Sequence, residues 1–343
     1  MNRLHRVDSH LPSLSPQSDG MIDNHGRRIT YLRLAITDRC NLRCRYCMPE
    51  EGVAFVSHDE ILSFEELERL VRLLSGLGLS KIRITGGEPF ARHGCVPFMV
   101  RLRSLPTVKS LHVTTNGVET FRHLDELAAM AIDGINLSLD SLDRDRFRQI
   151  SRRDYLSQVL ATLSGCLGRG LPLKVNTVVL EDTTDMEIMA MADLARQHPL
   201  SLRFIEKMPF SGGKTEKIPT TIPLRNRLHD LFPELAPVLT VNPSTARQYT
   251  LPGFAGTIGL IEGYSRRFCA TCNKLRITPV GMLKTCLYDD GVLDLKAMLR
   301  GGADDFEIAG AVQSAVSQRY ADGMETAAHY ARLTDPAMAS IGG

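Results

Sequence analysis

The chain has 343 residues, 43% hydrophobic and 23% charged, the make-up of an ordinary soluble globular protein with length for one large domain or two moderate ones. Its 41 Lys and Arg against 39 Asp and Glu leave a formal net charge of +2, which excludes a broadly basic nucleic-acid or membrane-surface binder and makes any anion site local. No apolar run is long enough to span a bilayer, and eight cysteines, mostly grouped, point to metal or redox chemistry in a reducing, cytoplasmic compartment rather than to disulfides.

Residues 1–20 carry Pro12, Pro16 and Gly20 among polar residues and lack the apolar core of a secretory signal, which predicts a disordered tail. From Tyr31 onward short β-rich runs alternate with amphipathic helical stretches, the pattern of parallel βα units. The first strand, Tyr31 to Ile36, feeds directly into Cys40-Asn41-Leu42-Arg43-Cys44-Arg45-Tyr46-Cys47. Three thiols there, with no fourth nearby, would leave one iron of a four-iron cubane without a protein ligand and so open to a small molecule. Closed structural zinc and unremarkable cysteines remain alternatives for the triplet taken alone, although zinc wants four ligands and neither His25 nor His58 has the short pairing of a zinc ribbon.

Ser63 and Glu66 form a capping-box pair that predicts a helix with Phe64, Leu67, Leu70, Val71 and Leu74 on one face, ended by Gly76 and Gly78. Five more strands follow, Lys81 to Thr85, Ser110 to Thr115, Gly134 to Leu139, Leu173 to Leu180 and Ser201 to Ile205, each followed or separated by a helix. Cys95 stands alone, and Cys166 falls on the apolar stripe of a helix as buried filler.

Side chains on a strand point alternately to opposite faces. One face is apolar here: Leu32 and Leu34, Ile82 and Ile84, Leu111 and Val113, Ile135 and Leu137, Val175, Leu202 and Phe204. The other carries Arg33, Lys81, Arg83, Thr85, His112, Thr114, Asn116, Asn136, Ser138, Asp140, Lys174, Asn176 and Arg203. A closed eight-stranded barrel fills its interior with branched aliphatics, and an antiparallel sheet would leave the polar face to solvent. With helices between the strands, the pattern predicts a polar, ligand-holding lumen suited to an anionic, phosphate-bearing guest. Thr85-Gly86-Gly87-Glu88-Pro89 ends the second strand with paired glycines that let a ligand approach the backbone.

The βα rhythm fails after Ile205, and residues 209–222 read as a loop. Cys269-Ala270-Thr271-Cys272 follows, then Cys286 after thirteen residues. Zinc is an alternative for this CxxC as well, but a second set of three thiols predicts a second open cluster, with Lys274 and Arg276 placing positive charge beside it. The chain ends in Gly342-Gly343.

With these residues assembled, the chain resembles the radical S-adenosylmethionine (SAM) superfamily, and within it the GTP 3′,8-cyclase family of molybdenum-cofactor biosynthesis. The resemblance rests on the CxxxCxxC loop with Tyr46 before its last cysteine, Gly86-Gly87-Glu88-Pro89, Thr37-Asp38-Arg39-Cys40, Lys81-Ile82-Arg83-Ile84-Thr85, Ile135 to Asp140, Arg203-Phe204-Ile205-Glu206 and the late cysteine set, and covers residues 21–343. It implies an α/β fold, a partial (β/α)6 radical SAM barrel over 21–230, with a C-terminal extension, 231–343, carrying a second iron-sulfur cluster at the opposite end. It implies that two [4Fe-4S] clusters and SAM are the cofactors: Cys40, Cys44 and Cys47 hold the first cluster, Cys269, Cys272 and Cys286 the second, and Tyr46, Gly87, Ser138 and Met208 contact SAM. Arg33, Arg83, Thr114, Lys174, Lys274 and Arg276 would contact GTP, with Lys81 and Arg203 beside them, and Gly342 and Gly343 would reach the active site. The implied reaction takes hydrogen from the ribose C3′ of GTP and joins that carbon to C8 of the base. A flavodoxin or ferredoxin electron donor and hand-over to cyclic pyranopterin monophosphate synthase are implied partners, a homodimer is left open, and neither nucleic acid nor membrane is expected.

The family commonly has arginine where Lys274 stands, so a role needing the planar guanidinium fork is not carried over. Two rivals remain at this level. A peptide-modifying radical SAM maturase would tend to carry a longer C-terminal cysteine set, and a non-catalytic iron-sulfur carrier or zinc scaffold would need neither a glycine ledge nor a cationic lumen.

Overall fold

Alternation along the early strands sets the layers of the molecule. In the computed structural model, which describes residues 20–208, 223–238 and 244–330 apart from Tyr264 and Arg266, the apolar residues Leu32, Leu34, Ile82, Ile84, Leu111, Val113, Ile135, Leu137, Val175, Leu202 and Phe204 are all fully buried. They face the helices, and their polar neighbours face a cavity. The expected tail, the 209–222 loop, Gly342 and Gly343 lie outside the described residues, apart from Gly20.

Six strands run in chain order and in parallel: β1 (Tyr31–Ala35), β2 (Lys81–Thr85), β3 (Ser110–Thr115), β4 (Gly134–Ser138), β5 (Leu173–Val179) and β6 (Ser201–Glu206). Their bounds agree with the sequence pattern to within a residue. Beyond them come β7 (Ala236–Val238), β8 (Arg247–Thr250), β9 (Thr257–Ile261), β10 (Lys274–Ile277), β11 (Met282–Lys284) and β12 (Leu293–Asp294). The sheet is mixed, in the order β12-β11-β10-β1-β2-β3-β4-β5-β6-β9-β8-β7.

Two of the late strands extend the parallel block. β10 pairs in parallel with β1, and β9 with β6, so eight parallel strands stand side by side, flanked by antiparallel strands at both edges. The sequence pattern led to six, because β9 and β10 are not set off by an α-helix; among the described residues only the short turn Arg267–Cys269 lies between them. β9 and β10 do not pair with each other among the described residues, so the arc stays open.

The helices among the described residues are α1 (Phe64–Gly76), α2 (Cys95–Arg103), α3 (Leu124–Ala129), α4 (Arg144–Ser151), α5 (Leu156–Gly168), α6 (Asp185–Gln197), α7 (Leu224–Leu231), α8 (Leu295–Arg300), α9 (Asp305–Ser317) and α10 (Gly323–Tyr330). α1 shows why they form where they do. Ser63 accepts from the Glu66 amide while Glu66 reaches back to the Ser63 amide at 2.7 Å, satisfying two amides that the first turn would otherwise orphan. Leu67, Leu70, Val71 and Leu74 are fully buried, each stabilising by about 1.5–3 kcal/mol relative to exposure. The helix includes Gly76 and ends at Leu77, with Gly78 in the left-handed region at φ +101°. Cys166 is fully buried on α5, as the stripe predicts, and the Cys95 thiol lies 3.8 Å from the Met99 sulfur.

Candidate functional site

β1 ends at Ala35, and Thr37 to Arg39 carry the chain into the first cysteine loop. The amides of Arg43 and Arg45 donate to the carbonyls of Ser151 and Ile150 at the end of α4, at 2.9 and 3.0 Å. Cys47 and Met48 close a turn on the Cys44 carbonyl, and Arg152 Nη1 donates to the carbonyls of Arg43 and Met48. Leu42 and Met48 are buried beneath the loop. The thiols thus ride on a backbone anchored from both sides.

The second strand's end braces the same loop. The Gly87 amide donates to Thr37 O and the Glu88 amide to Arg39 O, both at 2.8 Å. A Cβ on Gly87 would stand 2.4 Å from Arg39 O, so the ledge is filled by this chain's own backbone as well as facing the cavity. Glu88 has no exposed surface; its carboxylate accepts from the Asn116 amide at 2.6 Å, the Thr115 hydroxyl at 2.8 Å and the Phe90 amide at 3.2 Å. Burial lifts it to about 7 against those hydrogen bonds. Its work is to fasten β2 to β3.

A single cavity of about 880 Å³ is lined by Cys40, Cys44 and Cys47 and also by Cys269, Cys272 and Cys286. Strand register gives the relation between the two sets. The first follows the C-terminal end of β1, whereas Cys272 precedes β10, whose Lys274 is the partner of Tyr31 at the N-terminal end of β1. The triads therefore stand at opposite ends of the parallel strands. Tyr46, Gly87, Ser138 and Met208 line the same cavity, as do Arg33, Arg83, Thr114, Lys174, Lys274 and Arg276, with Lys81 and Arg203. His112 shares their face but does not line it; its ring lies against Gly134, where an added Cβ would meet Nδ1 at 2.6 Å.

Seven of the cations that line the cavity stand on its strands. Arg276, Arg33 and Arg83 are successive register partners across β10, β1 and β2, and Lys274, Tyr31 and Lys81 form the adjoining row. Lys81 and Lys274 place their ammonium groups 5.0 and 5.7 Å from the Tyr31 ring centre. Burial alone would raise the Tyr31 phenol, but Arg83, Arg33 and Lys81 bring it down to about 7. Burial, then Arg203 and Arg83, bring Lys174 down to about 8. Burial and the same cations hold His112 neutral, far below its usual range. Buried Nε of Arg203, Oγ1 of Thr114 and Oδ1 of Asn136 and Asn176 have no partner among the described residues, a mixed set of donors and acceptors that suits a polar guest carrying both anionic oxygens and hydrogen-bond donors.

Both triads sit among mixed charges, with Asp322 bearing on Cys269 and Asp289 on Cys286 at the second. Asn116 Nδ2 and the Leu42 amide donate to Cys40 Sγ at 3.6 and 3.4 Å, while Glu88 bears on Cys40 and Asp140 on Cys44. Burial pushes the Cys44 thiol well up, and Asp140 adds to it. At the other end burial would raise Cys272, but Lys274 and Arg319 bring it below its usual value. The Gly323 amide, at the start of α10, donates to Cys269 Sγ at 3.4 Å.

Donors aimed at sulfur suit thiolate ligands, and both sets fit an iron-sulfur cluster in their donor chemistry. No three His, Cys, Asp or Glu side chains among the described residues are grouped to hold one metal ion, the arrangement a closed zinc site needs. A cubane takes each thiolate on a separate iron.

Glu88 and Arg319 had no assigned role of their own in the sequence pattern, and Asn116 and Asp140 were assigned only to the polar strand face. Asp140 accepts from the Tyr46 hydroxyl at 2.9 Å and from the Val178 amide at 2.8 Å, and burial lifts it to about 6. Its position at the end of the fourth strand was the available signal.

The Radical SAM superfamily model matches residues 34–195, and the Molybdenum Cofactor Synthesis C model matches residues 200–324. The GTP 3',8-cyclase of Moorella thermoacetica is 41% identical over 307 residues, covering 88% of this chain and 94% of its own length. The GTP 3',8-cyclase of Chlorobaculum tepidum is 38% identical over 328 residues, covering 94% of this chain and 97% of its own length. The human molybdenum cofactor biosynthesis protein 1 is 38% identical over 308 residues, 89% of this chain and 48% of its own length. Among solved structures, Streptococcus suis SuiB bound to S-adenosylmethionine superposes with a TM-score of 0.59 at 14% identity, over 83% of this chain and 68% of its own, a likeness of fold.

Proposed function

The chain belongs to the GTP 3′,8-cyclase family of the radical SAM superfamily, and from that premise we propose how its residues divide the work of converting GTP to (8S)-3′,8-cyclo-7,8-dihydroguanosine 5′-triphosphate in molybdenum-cofactor biosynthesis. Cys40, Cys44 and Cys47 hold the cluster to which SAM binds, and Tyr46, Gly87, Ser138 and Met208 line the SAM position. Together those two groups supply the radical chemistry that removes hydrogen from the ribose C3′ and lets that carbon bond to C8 of the base.

The observation that carries this assignment is a row of cations between two cysteine triads in one cavity. Arg33, Arg83, Lys81, Lys174 and Arg203 neutralise the triphosphate, Thr114 adds a hydroxyl, and the nucleotide is held against the strands so that a single sugar hydrogen faces the first triad. Cys269, Cys272 and Cys286 hold a second [4Fe-4S] cluster beside the base, with Lys274 and Arg276 next to it. The barrel comprises residues 21–230 and the extension residues 231–343. A low-potential flavodoxin or ferredoxin is the donor, the cytoplasm the compartment, and cyclic pyranopterin monophosphate synthase the recipient of the product. No described helix is long and apolar enough to cross a membrane.

The test is anaerobic reconstitution with iron and sulfide, followed by SAM, GTP and a strong reductant. The expected result is 5′-deoxyadenosine whose formation requires GTP, together with the cyclised nucleotide. 5′-Deoxyadenosine formed equally without GTP would reject GTP as the substrate.

A further inference from the structure

Behind the second triad lies a group of buried charges that the reaction as described does not use. The N-terminal hairpin pairs Met21–Ile22 with Arg28–Ile29, and its turn holds Asp23, whose side chain has no exposed surface. Asp23 Oδ2 accepts from Arg27 Nε at 2.6 Å and from Arg319 Nη1 at 3.1 Å. Arg27 then donates to the carbonyls of Cys269 at 3.0 Å, Ala321 at 2.6 Å and Tyr320 at 2.8 Å. Arg319 donates through Nη1 to the Cys272 carbonyl at 3.3 Å and through Nη2 to Cys272 Sγ at 3.6 Å.

Two cations against one carboxylate leave this buried trio with a net positive charge. Buried ion groups of this kind are often no better for stability than apolar residues of the same volume. A guanidinium with one edge on a carboxylate and the other on a ligand sulfur is held in a fixed position. We infer that Arg319, oriented by Asp23, is a positioning residue that sets the reduction potential of the second cysteine triad's cluster by donating to the Cys272 sulfur. The inference rests on the reading of that triad as a cluster site. A reduced cluster carries one more negative charge, so a donor and a positive charge at its sulfur favour reduction and raise the potential, whereas the Asp23 carboxylate opposes them.

The experiment uses the full chain with Cys40→Ala, Cys44→Ala and Cys47→Ala, so that only the second triad can take a cluster. Iron and sulfide per chain and the midpoint potential, from a titration followed by electron paramagnetic resonance, are read for this parent and for Arg319→Met, Arg319→Lys and Asp23→Asn added to it. Arg319→Met is expected to lower the midpoint and Asp23→Asn, which keeps a carbonyl oxygen to accept from Arg319 and removes only the negative charge, to raise it, with Arg319→Lys between Arg319→Met and the parent. Opposite signs are what charge at the sulfur requires; a loosened scaffold would move both the same way. An unchanged midpoint in Arg319→Met, or shifts of one sign in both variants, overturns the inference and leaves the cluster reading standing. If Arg319→Met takes up no iron, Arg319→Lys decides: iron restored with a lowered midpoint supports the assignment, and a midpoint equal to the parent's overturns it. A parent that takes up no iron overturns both this inference and the second cluster.

Discussion

Arg33 and Arg276, drawn from opposite ends of the chain, are register partners on adjacent parallel strands, and Arg83 is the partner of Arg33 on its other side. Burial, then Arg276, bring Arg33 down to about 9. Like charges gathered in this way make the empty site costly and an anion welcome. Inorganic tripolyphosphate is therefore expected to raise the melting temperature of the protein, since a ligand that binds only the folded state stabilises it by mass action. Arg83→Ala should shrink that shift and weaken GTP binding by roughly tenfold to a hundredfold, the range for a lost hydrogen bond to a charged group. Iron at the first triad should be unchanged. Calorimetry and iron analysis check both, and an unaltered affinity would remove the phosphates from this row of arginines.

Arg203 separates function from stability. Its Nε is buried without a partner among the described residues, and burial, then Arg83, bring the group down to about 10. Arg203→Met keeps most of the volume and removes a buried charge held close to Arg83. The ligand-free protein should gain about 1 kcal/mol while GTP affinity falls. Chemical denaturation with and without GTP reads the two signs together, and a loss of stability in the ligand-free variant would show that Arg203 is a structural cation.

Lys174 and Tyr31 give the site a pH dependence. In the free protein Tyr31 loses its proton near 7 and Lys174 near 8, both below their ordinary values. A bound polyanion favours the neutral phenol and the charged ammonium, so binding takes up protons in this window and tripolyphosphate affinity should fall as pH rises from about 7 through about 8. Stability of the free protein should move the other way. Above each folded value the unfolded chain still holds the proton that the folded chain has released, so these two groups make stability rise with pH. Tyr31→Phe should flatten the lower part of the affinity profile and Lys174→Met the upper part, and a profile unchanged in both variants would assign the dependence elsewhere.

Local chemistry made much of this legible in the sequence. The alternation of Leu32, Arg33 and Leu34 marks the two faces of β1, Ser63 and Glu66 mark the start of α1, and the polar strand residues are, His112 aside, the ones that line the cavity. β9 and β10 escaped notice because no α-helix stands between them, among the described residues, to continue the βα rhythm, and pairing with a strand far off in the chain leaves no local trace. The same holds for Glu88 and Arg319. Glu88 ties β2 to the Asn116 amide, and Arg319 donates directly to Cys272 while Asp23 holds it; these relations are hydrogen bonds between distant segments, and one residue's identity says nothing of its partner.

Gly87 offers a test between two roles for the glycine ledge. If the missing side chain only admits a ligand, Gly87→Ala should weaken SAM binding and leave the first triad's iron in place. The packing argues for more: an added Cβ would meet Arg39 O at 2.4 Å, the Arg39 carbonyl carbon at 2.7 Å and Asp38 O at 2.8 Å, all backbone atoms that cannot rotate away. The segment from Thr37 to Arg39 must shift, and Cys40 follows it directly. Overpacking of this kind costs about 1–3 kcal/mol. Gly87→Ala should therefore lower the yield of iron at Cys40, Cys44 and Cys47 after reconstitution while the second triad keeps its own. Iron analysis in backgrounds lacking one triad or the other reads the two sites separately. Full iron at the first triad with weakened SAM binding would assign Gly87 to the ligand alone.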